Sequence, residues 1–174
     1  MRMRTPFALL GLTLLAGGTA FATPASAQAQ TFLDRFAGKW EGSGLVRRNL
    51  DSGANRVSCR LTGSAERVRA TVSGKCRALA IFSRDVTIEL RSDDGERFTG
   101  RYVGSRIGPA ALSGTRAGDA LNLTVHWPVP VNGTDTSQMT ISTSADGRMR
   151  LIVASRPGGS GAPVQTTDIS LDRR

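Results

Sequence analysis

The sequence is poor in the residues that most often carry catalysis or bind metals. Its 174 residues include one histidine and two cysteines, which excludes a zinc site built from four Cys and His ligands. Aromatic residues make up only 5% of the chain and charged residues 21%. That charge content is below the roughly 25% of an average domain, so the chain is not a polyelectrolyte or a typical disordered tail. The composition indicates a small folded domain without an obvious chemistry.

Acidic residues are also scarce. Fourteen Asp and Glu stand against 23 Lys and Arg, which gives a formal charge of +9. At roughly 100–200 residues per domain, the length allows one domain and almost no room for a second.

Residues 1–27 have the pattern of a secretory signal peptide. Arg2 and Arg4 precede an apolar stretch, and Ala25-Ser26-Ala27 is an A-x-A cleavage site. The apolar stretch is about 16 residues long, short of the roughly 20 that span a bilayer. Cleavage would leave residues 28–174, which is 174 − 27 = 147 residues with 21 basic and 14 acidic groups, or +7. No later stretch predicts a transmembrane segment, so we expect a periplasmic protein.

Both cysteines lie in the exported part. An even cysteine count in an exported chain predicts a structural disulfide, here between Cys59 and Cys76. The closed loop of about 18 residues is worth about 3 kcal/mol in the chain-entropy model. A redox-active pair is the alternative, but such pairs are usually spaced C-x-x-C. The wider spacing here favours the structural role.

Residues 28–174 consist of short alternating runs separated by turn signals every 8–14 residues, a pattern typical of sandwiches and barrels. For example, Val86, Ile88 and Leu90 share one face and meet the run 97–103 across the turn Asp93-Asp94-Gly95. The sequence predicts an all-β fold, a single antiparallel barrel of about 8–10 strands. Helical spacing occurs only over Gln30–Ala37. We expect loops at 105–118, 128–134 and 157–163, which are rich in glycine or proline.

No constellation of residues indicates catalysis. His126, the only histidine of the sequence, alternates with the apolar residues of its run and should face solvent. The densest acidic group, 93–96, is explained by the chemistry of a hairpin turn. We therefore expect a protein that is not an enzyme and that has no cofactor and no metal site.

The segment Phe36-Ala37-Gly38-Lys39-Trp40-Glu41-Gly42-Ser43-Gly44 resembles the opening of lipocalin-type and related calycin barrels. That resemblance implies that Trp40 plugs one end of the barrel beneath a basic residue of a late strand, either Arg156 or Arg173. With Cys59-Arg60, Lys75-Cys76-Arg77 and the C-terminal strand, the opening also resembles small exported β-barrel proteins of alphaproteobacteria. Those carry no established activity, so the likeness bears on fold and location. A further likeness is to periplasmic inhibitors of secreted metalloproteases.

Arginine dominates the basic residues. Only Lys39 and Lys75 are lysines, so 19 of the 21 basic groups after residue 27 are arginines. Four of them flank the cysteines in sequence and, if their strands are neighbours, would form an anion-binding face: Arg60, Arg67, Arg69 and Arg77. An ordinary solvated face is the other interpretation. Nucleic acid is not an expected partner, because aromatic stacking platforms are missing.

These observations predict a non-enzymatic periplasmic barrel that binds a small apolar ligand or an anionic component of the envelope. The alternative is a protein-interaction module such as a periplasmic protease inhibitor. A large apolar cavity would favour the first function. A packed interior with an exposed N-terminal arm would favour the second.

Overall fold

The computed structural model describes residues 25–50, 52–79, 82–131 and 133–174. Helix α1 (Ala25–Leu33) and a 3₁₀ turn (Asp34–Phe36) precede ten strands, and a second 3₁₀ turn (Pro157–Gly159) precedes the last strand. The strands are β1 (Gly38–Arg47), β2 (Ala54–Glu66), β3 (Arg69–Ala78), β4 (Phe82–Arg91), β5 (Arg97–Val103), β6 (Ala110–Ala117), β7 (Ala120–Val131), β8 (Thr134–Thr143), β9 (Arg148–Ser155) and β10 (Val164–Arg173).

The ten strands form one closed antiparallel barrel, which confirms the predicted fold class. Each strand pairs with its neighbours in sequence, and β1 closes the barrel by pairing with β10. In that closing ladder Trp40 lies opposite Arg173, and Gly44 lies opposite Ile169. Closure leaves no unpaired sheet edge.

The antiparallel order gives the barrel two chemically different ends. The cap end carries α1, the first 3₁₀ turn, the C-terminus and the connections β2–β3, β4–β5, β6–β7 and β8–β9. The loop end carries the other five connections: β1–β2, β3–β4, β5–β6, β7–β8 and β9–β10.

Alternation along the strands separates an apolar interior from a polar outer wall. On β7, Leu121, Leu123 and Val125 are fully buried, whereas Asn122 and His126 are exposed. The same pattern on the other strands fills the barrel with a single apolar core. Period-two alternation is what an antiparallel sheet with one wet face requires.

The N-terminal helix covers the cap end. Ala29, Phe32, Leu33 and Phe36 are at most 1% exposed. The ring of Phe32 meets that of Phe98 on β5 edge-to-face, with centroids 5.7 Å apart. Gly63 of β2 allows the carbonyl of Phe36 to approach so closely that a Cβ there would collide with it. The buried side of α1 and of the 3₁₀ turn is thus part of the core.

Cys59 and Cys76 lie directly opposite each other on β2 and β3 and are bonded to one another. This confirms the predicted disulfide. Cys59 is buried and faces the interior, so the bond ties two neighbouring strands together on their inner side.

Two of the predicted loops contain strand. The segment 105–118 includes β6, where Gly114 fits because the backbone of Asn122 and Leu123 on β7 passes too close for a side chain. The segment 128–134 lies largely within β7 and β8. The pairing register shifts between His126 and Val131, so Pro128 and Pro130 stand where no ladder partner is needed. Of the predicted signal peptide, residues 1–24 lie outside the described residues, and Ala25–Ala27 begin α1.

Candidate functional site

The middle of the barrel contains a small cavity. Within the described residues it has a volume of about 20 Å³. Its lining is wholly apolar and comes from the middle of the barrel: Phe36, Leu61, Val72, Ile88, Ile141, Met149, Leu151 and Leu171. A space of this size holds about one water molecule, and apolar cavities usually stay dry. This cavity is therefore too small for an organic ligand.

Trp40 lies beneath the cap and is 1% exposed. Its indole N–H donates to the carbonyl of Phe36 at 2.9 Å, and the guanidinium carbon of Arg173 lies 4.9 Å from its ring centre. Of the two arginines considered as its partner, the structure places Arg173 over the indole. Arg156 lies at the opposite, loop end.

The structure separates the four arginines that flank the cysteines in sequence. Arg60, Arg69 and Arg77 project from the outer wall of β2 and β3, and Arg67 stands in the β2–β3 turn at the cap end. Arg69 and Arg77 are at opposite ends of β3, about 26 Å apart at roughly 3.3 Å per residue. Arg60 is paired with Glu41 at 2.7 Å. These arginines therefore do not form one cluster.

At the cap end, arginines and carboxylates neutralise one another. This end holds ten basic and eight acidic groups, which lie in residues 34–39, 66–69, 91–97, 116–120, 143–148 and 172–174. Ion pairs join Arg35 to Asp119, Arg91 to Asp93, Arg97 to Asp94, Arg148 to Asp146 and Arg174 to Glu41. Arg116 stacks on Phe32, as Arg173 does on Trp40.

Hydrogen bonds to arginine side chains and to backbone N–H groups lower the pKa of three carboxyl groups. Hydrogen bonding to Arg60 lowers the pKa of Glu41, and hydrogen bonding to Arg148 lowers the pKa of Asp146. The pKa of Asp94 is lowered mainly because its carboxylate accepts the backbone N–H groups of Arg97 and Glu96. All three carboxylates are thereby held in the charged form that their partners require.

The loop end has a different charge balance. It holds seven arginines and three aspartates, which lie in residues 47–56, 77–85, 103–110, 131–135 and 155–164. The arginines are Arg47, Arg48, Arg56, Arg77, Arg84, Arg106 and Arg156, and the aspartates are Asp51, Asp85 and Asp135. Asp85 is already paired with Lys75 at 3.3 Å. Within the described ranges, no carboxylate lies within 4 Å of these seven guanidinium groups.

Arg84 differs from the others because it points towards the mouth of the barrel. It lies opposite Cys76 in the β3–β4 ladder and so shares the inner face, yet it remains exposed. Its charge acts on Tyr102, where burial raises the pKa of the phenol and Arg84 opposes that rise. Tyr102 packs edge-to-face on Trp127 at 6.2 Å, and the Trp127 N–H donates to Ser137 at 2.8 Å.

Large apolar side chains are exposed at the same end. Leu79 is 67% exposed and Phe82 53%, on either side of the β3–β4 connection, and Val129 is 48% exposed where β7 projects towards β8. We call Leu79, Phe82 and Val129 the apolar rim. Leu45 is similarly exposed but lies on the outer wall of β1.

The remaining candidates do not assemble into a site. His126 faces outward as expected, with Nε2 3.0 Å from the hydroxyl of Ser113. Across the parts of the chain that the structure describes, no three His, Cys, Asp or Glu side chains are grouped as they would be around a metal ion. No described helix has the length and apolar character needed to cross a membrane.

The inward position of Arg84 could be predicted from the sequence. It has the same parity as Val86, Ile88 and Leu90, so a strand with those residues inside must turn Arg84 inside as well. The grouping of seven arginines at one end could not be predicted in this way, because they come from four separate connections.

Comparison with known proteins supports the fold and no more. No family model matches this sequence, and no curated protein shows a significant match. Among solved structures, the crystal structure of Rv2717c from M. tuberculosis is similar, with a TM-score of 0.65. The alignment covers 84% of this chain and 97% of that one at 14% sequence identity. At that identity the likeness concerns the barrel alone.

Proposed function

We propose that this protein is an exported, non-enzymatic barrel that binds anionic molecules at its loop end. The observation that carries the proposal is the uneven pairing of its arginines. At the cap end most arginines have a carboxylate or aromatic partner. At the loop end six of the seven arginines are exposed with few acids among them, and the seventh, Arg47, is half-buried and donates to the carbonyl of Ser52. Guanidinium groups suit phosphate and carboxylate ligands.

The periplasm, expected from the signal-peptide pattern, offers such anions in lipid headgroups, lipopolysaccharide and peptidoglycan. The likeness to calycin barrels and to exported alphaproteobacterial proteins agrees with that location and gives no ligand. The small interior cavity argues for binding on the barrel and against a small apolar ligand inside it. A protease inhibitor gains less support, because Ala29, Phe32, Leu33 and Phe36 pack into the core, which ties the N-terminal helix to the barrel.

The proposal can be tested with two double variants of equal net charge. Arg77→Glu with Arg84→Glu reverses two charges at the loop end. Arg67→Glu with Arg69→Glu makes the same change at the cap end. Each lowers the net charge by four, and all four side chains are exposed. A general effect of charge must therefore be equal in both.

The measurement is the salt concentration that elutes each protein from phosphocellulose. We expect the loop-end variant to elute at clearly lower salt than wild type, and the cap-end variant to stay closer to wild type. Circular dichroism should show both variants folded. If the two variants elute at the same salt concentration, the loop end has no special affinity for phosphate, which would contradict the proposal.

A further inference from the structure

The loop end combines two kinds of surface that rarely occur together by chance on a small barrel. Six of its seven arginines are exposed, and the apolar rim of Leu79, Phe82 and Val129 lies at the same end of the barrel. Single exposed apolar residues need no explanation, but large apolar surface rimmed by polar residues marks interaction sites. Leu79 and Phe82 are both more than half exposed and flank one connection. A partner that matches both surfaces has an anionic layer and an apolar layer.

A bilayer of anionic lipid has these two layers in the right order. From the proposed anion binding, we infer that the loop end docks on such a bilayer, with the arginines at the headgroups and the apolar rim below them. Leu79 and Phe82 flank the β3–β4 connection, and Val129 lies near the end of β7, so all three stand at the end of the barrel. A soluble anion would leave these side chains in water, whereas a bilayer buries them.

The position of Arg84 supports this arrangement. It follows Phe82 by two residues on β4 and so lies on the same inner side of the strand, closer to the barrel. Penetration by Phe82 would then place the guanidinium of Arg84 at the level of the phosphates. Leucine and phenylalanine side chains in the acyl boundary with arginines above them are how proteins lie at a membrane interface without spanning it.

The test measures co-sedimentation with vesicles of phosphatidylcholine alone and of phosphatidylcholine with phosphatidylglycerol. Wild type should bind the anionic vesicles, and binding should weaken as salt rises, since exposed charges are screened beyond about 8 Å at physiological salt. Leu79→Ser with Phe82→Ser should weaken binding by about tenfold for each side chain, because each buries apolar area in the bilayer. Leu45→Ser, the matched change on the wall, should bind like wild type.

Trp127 provides a second readout, since it precedes Val129 by two residues. Vesicles with brominated acyl chains should quench the fluorescence of wild type and of Trp40→Phe, which keeps Trp127. They should not quench Trp127→Phe, whose remaining indole is buried at the cap end. Quenching would show that the loop end reaches the acyl chains, which headgroup binding alone would not.

The outcomes separate this inference from the proposed function. The proposed anion binding is supported if the variant with Arg77→Glu and Arg84→Glu binds phosphocellulose more weakly than wild type. Insertion into the bilayer is nevertheless wrong if the serine double variant binds vesicles like wild type and no quenching is seen. Equal binding to neutral and anionic vesicles would also overturn it. So would a wild type that is dimeric in sedimentation velocity while the serine variant is monomeric, because the rim would then be a self-association surface. If no anion binds, both proposals fail.

Discussion

The guanidinium of Arg173 lies 4.9 Å above the indole of Trp40, and the two residues lie opposite each other where β10 closes against β1. The contact therefore joins the last strand to the first at the seam of the barrel. The indole N–H is also bonded to Phe36, so the N-terminal cap, the first strand and the last strand meet at one side chain.

Replacing Trp40 should be costly because it leaves a large void at this junction. We expect Trp40→Ala to lower the free energy of unfolding by about 3–5 kcal/mol, as for other large truncations in cores. Arg173→Ala should cost less, about 0.5–2 kcal/mol for the lost cation–π contact. Urea denaturation followed by circular dichroism measures both. A Trp40→Ala protein as stable as wild type would contradict the role of this residue as a plug.

The disulfide should stabilise the barrel without taking part in binding. Cys59 and Cys76 are 17 residues apart in sequence, so replacing both with alanine should lower the free energy of unfolding by about 3 kcal/mol in the chain-entropy model. Elution from phosphocellulose should stay unchanged, since both residues face the interior. Thiols that react in freshly isolated native protein would contradict a bonded pair.

Asp94 should make stability depend on pH in the acid range. Its carboxylate accepts the N–H of Arg97 at 2.8 Å and of Glu96 at 2.9 Å, which lowers its pKa from the ordinary 3.8. Because the folded pKa is the lower one, its contribution is present above about pH 4 and is lost as the pH falls through the folded value.

Two substitutions separate the charge of Asp94 from its acceptor role. Asp94→Asn keeps an acceptor for the turn and removes the titration, so its free energy of unfolding should fall less steeply below pH 4 than that of wild type. Asp94→Ala removes the acceptor too and should be less stable than Asp94→Asn at neutral pH. Urea midpoints at a series of pH values measure this. Parallel pH profiles for wild type and Asp94→Asn would contradict it.

Local features were predictable from sequence, and long-range features were not. The bounds of β5 follow from the Asp93-Asp94-Gly95 turn and the alternation after it, since both depend on neighbouring residues. The disulfide follows from cysteine count and export. The sequence predicts a loop at β6 because Gly114 is a local turn signal, whereas the glycine is there because the backbone of β7 passes close to it. The basic loop end depends on closure, which places arginines 109 residues apart, such as Arg47 and Arg156, at one end.

The cap bears on the predicted cleavage of a signal peptide after Ala27. Cleavage after Ala27 would keep Ala29, Phe32 and Leu33, which are among the most deeply buried residues, whereas cleavage a few residues later would remove core. We therefore expect protein isolated from the periplasm to begin at Gln28, as intact-mass measurement would show. A first residue beyond Phe32 would contradict this, because the cap end would lose its cover.

The same helix can be tested by substitution in the processed protein. Phe32→Ala removes a ring that packs on Phe36 and Phe98 and carries the guanidinium of Arg116 at 4.3 Å. We expect it to lower the free energy of unfolding by about 3–5 kcal/mol. Gln30→Ala, an exposed position on the same helix, should change it by no more than about 0.5 kcal/mol. If both variants unfold like wild type, the packing of α1 on the cap end does not stabilise the barrel.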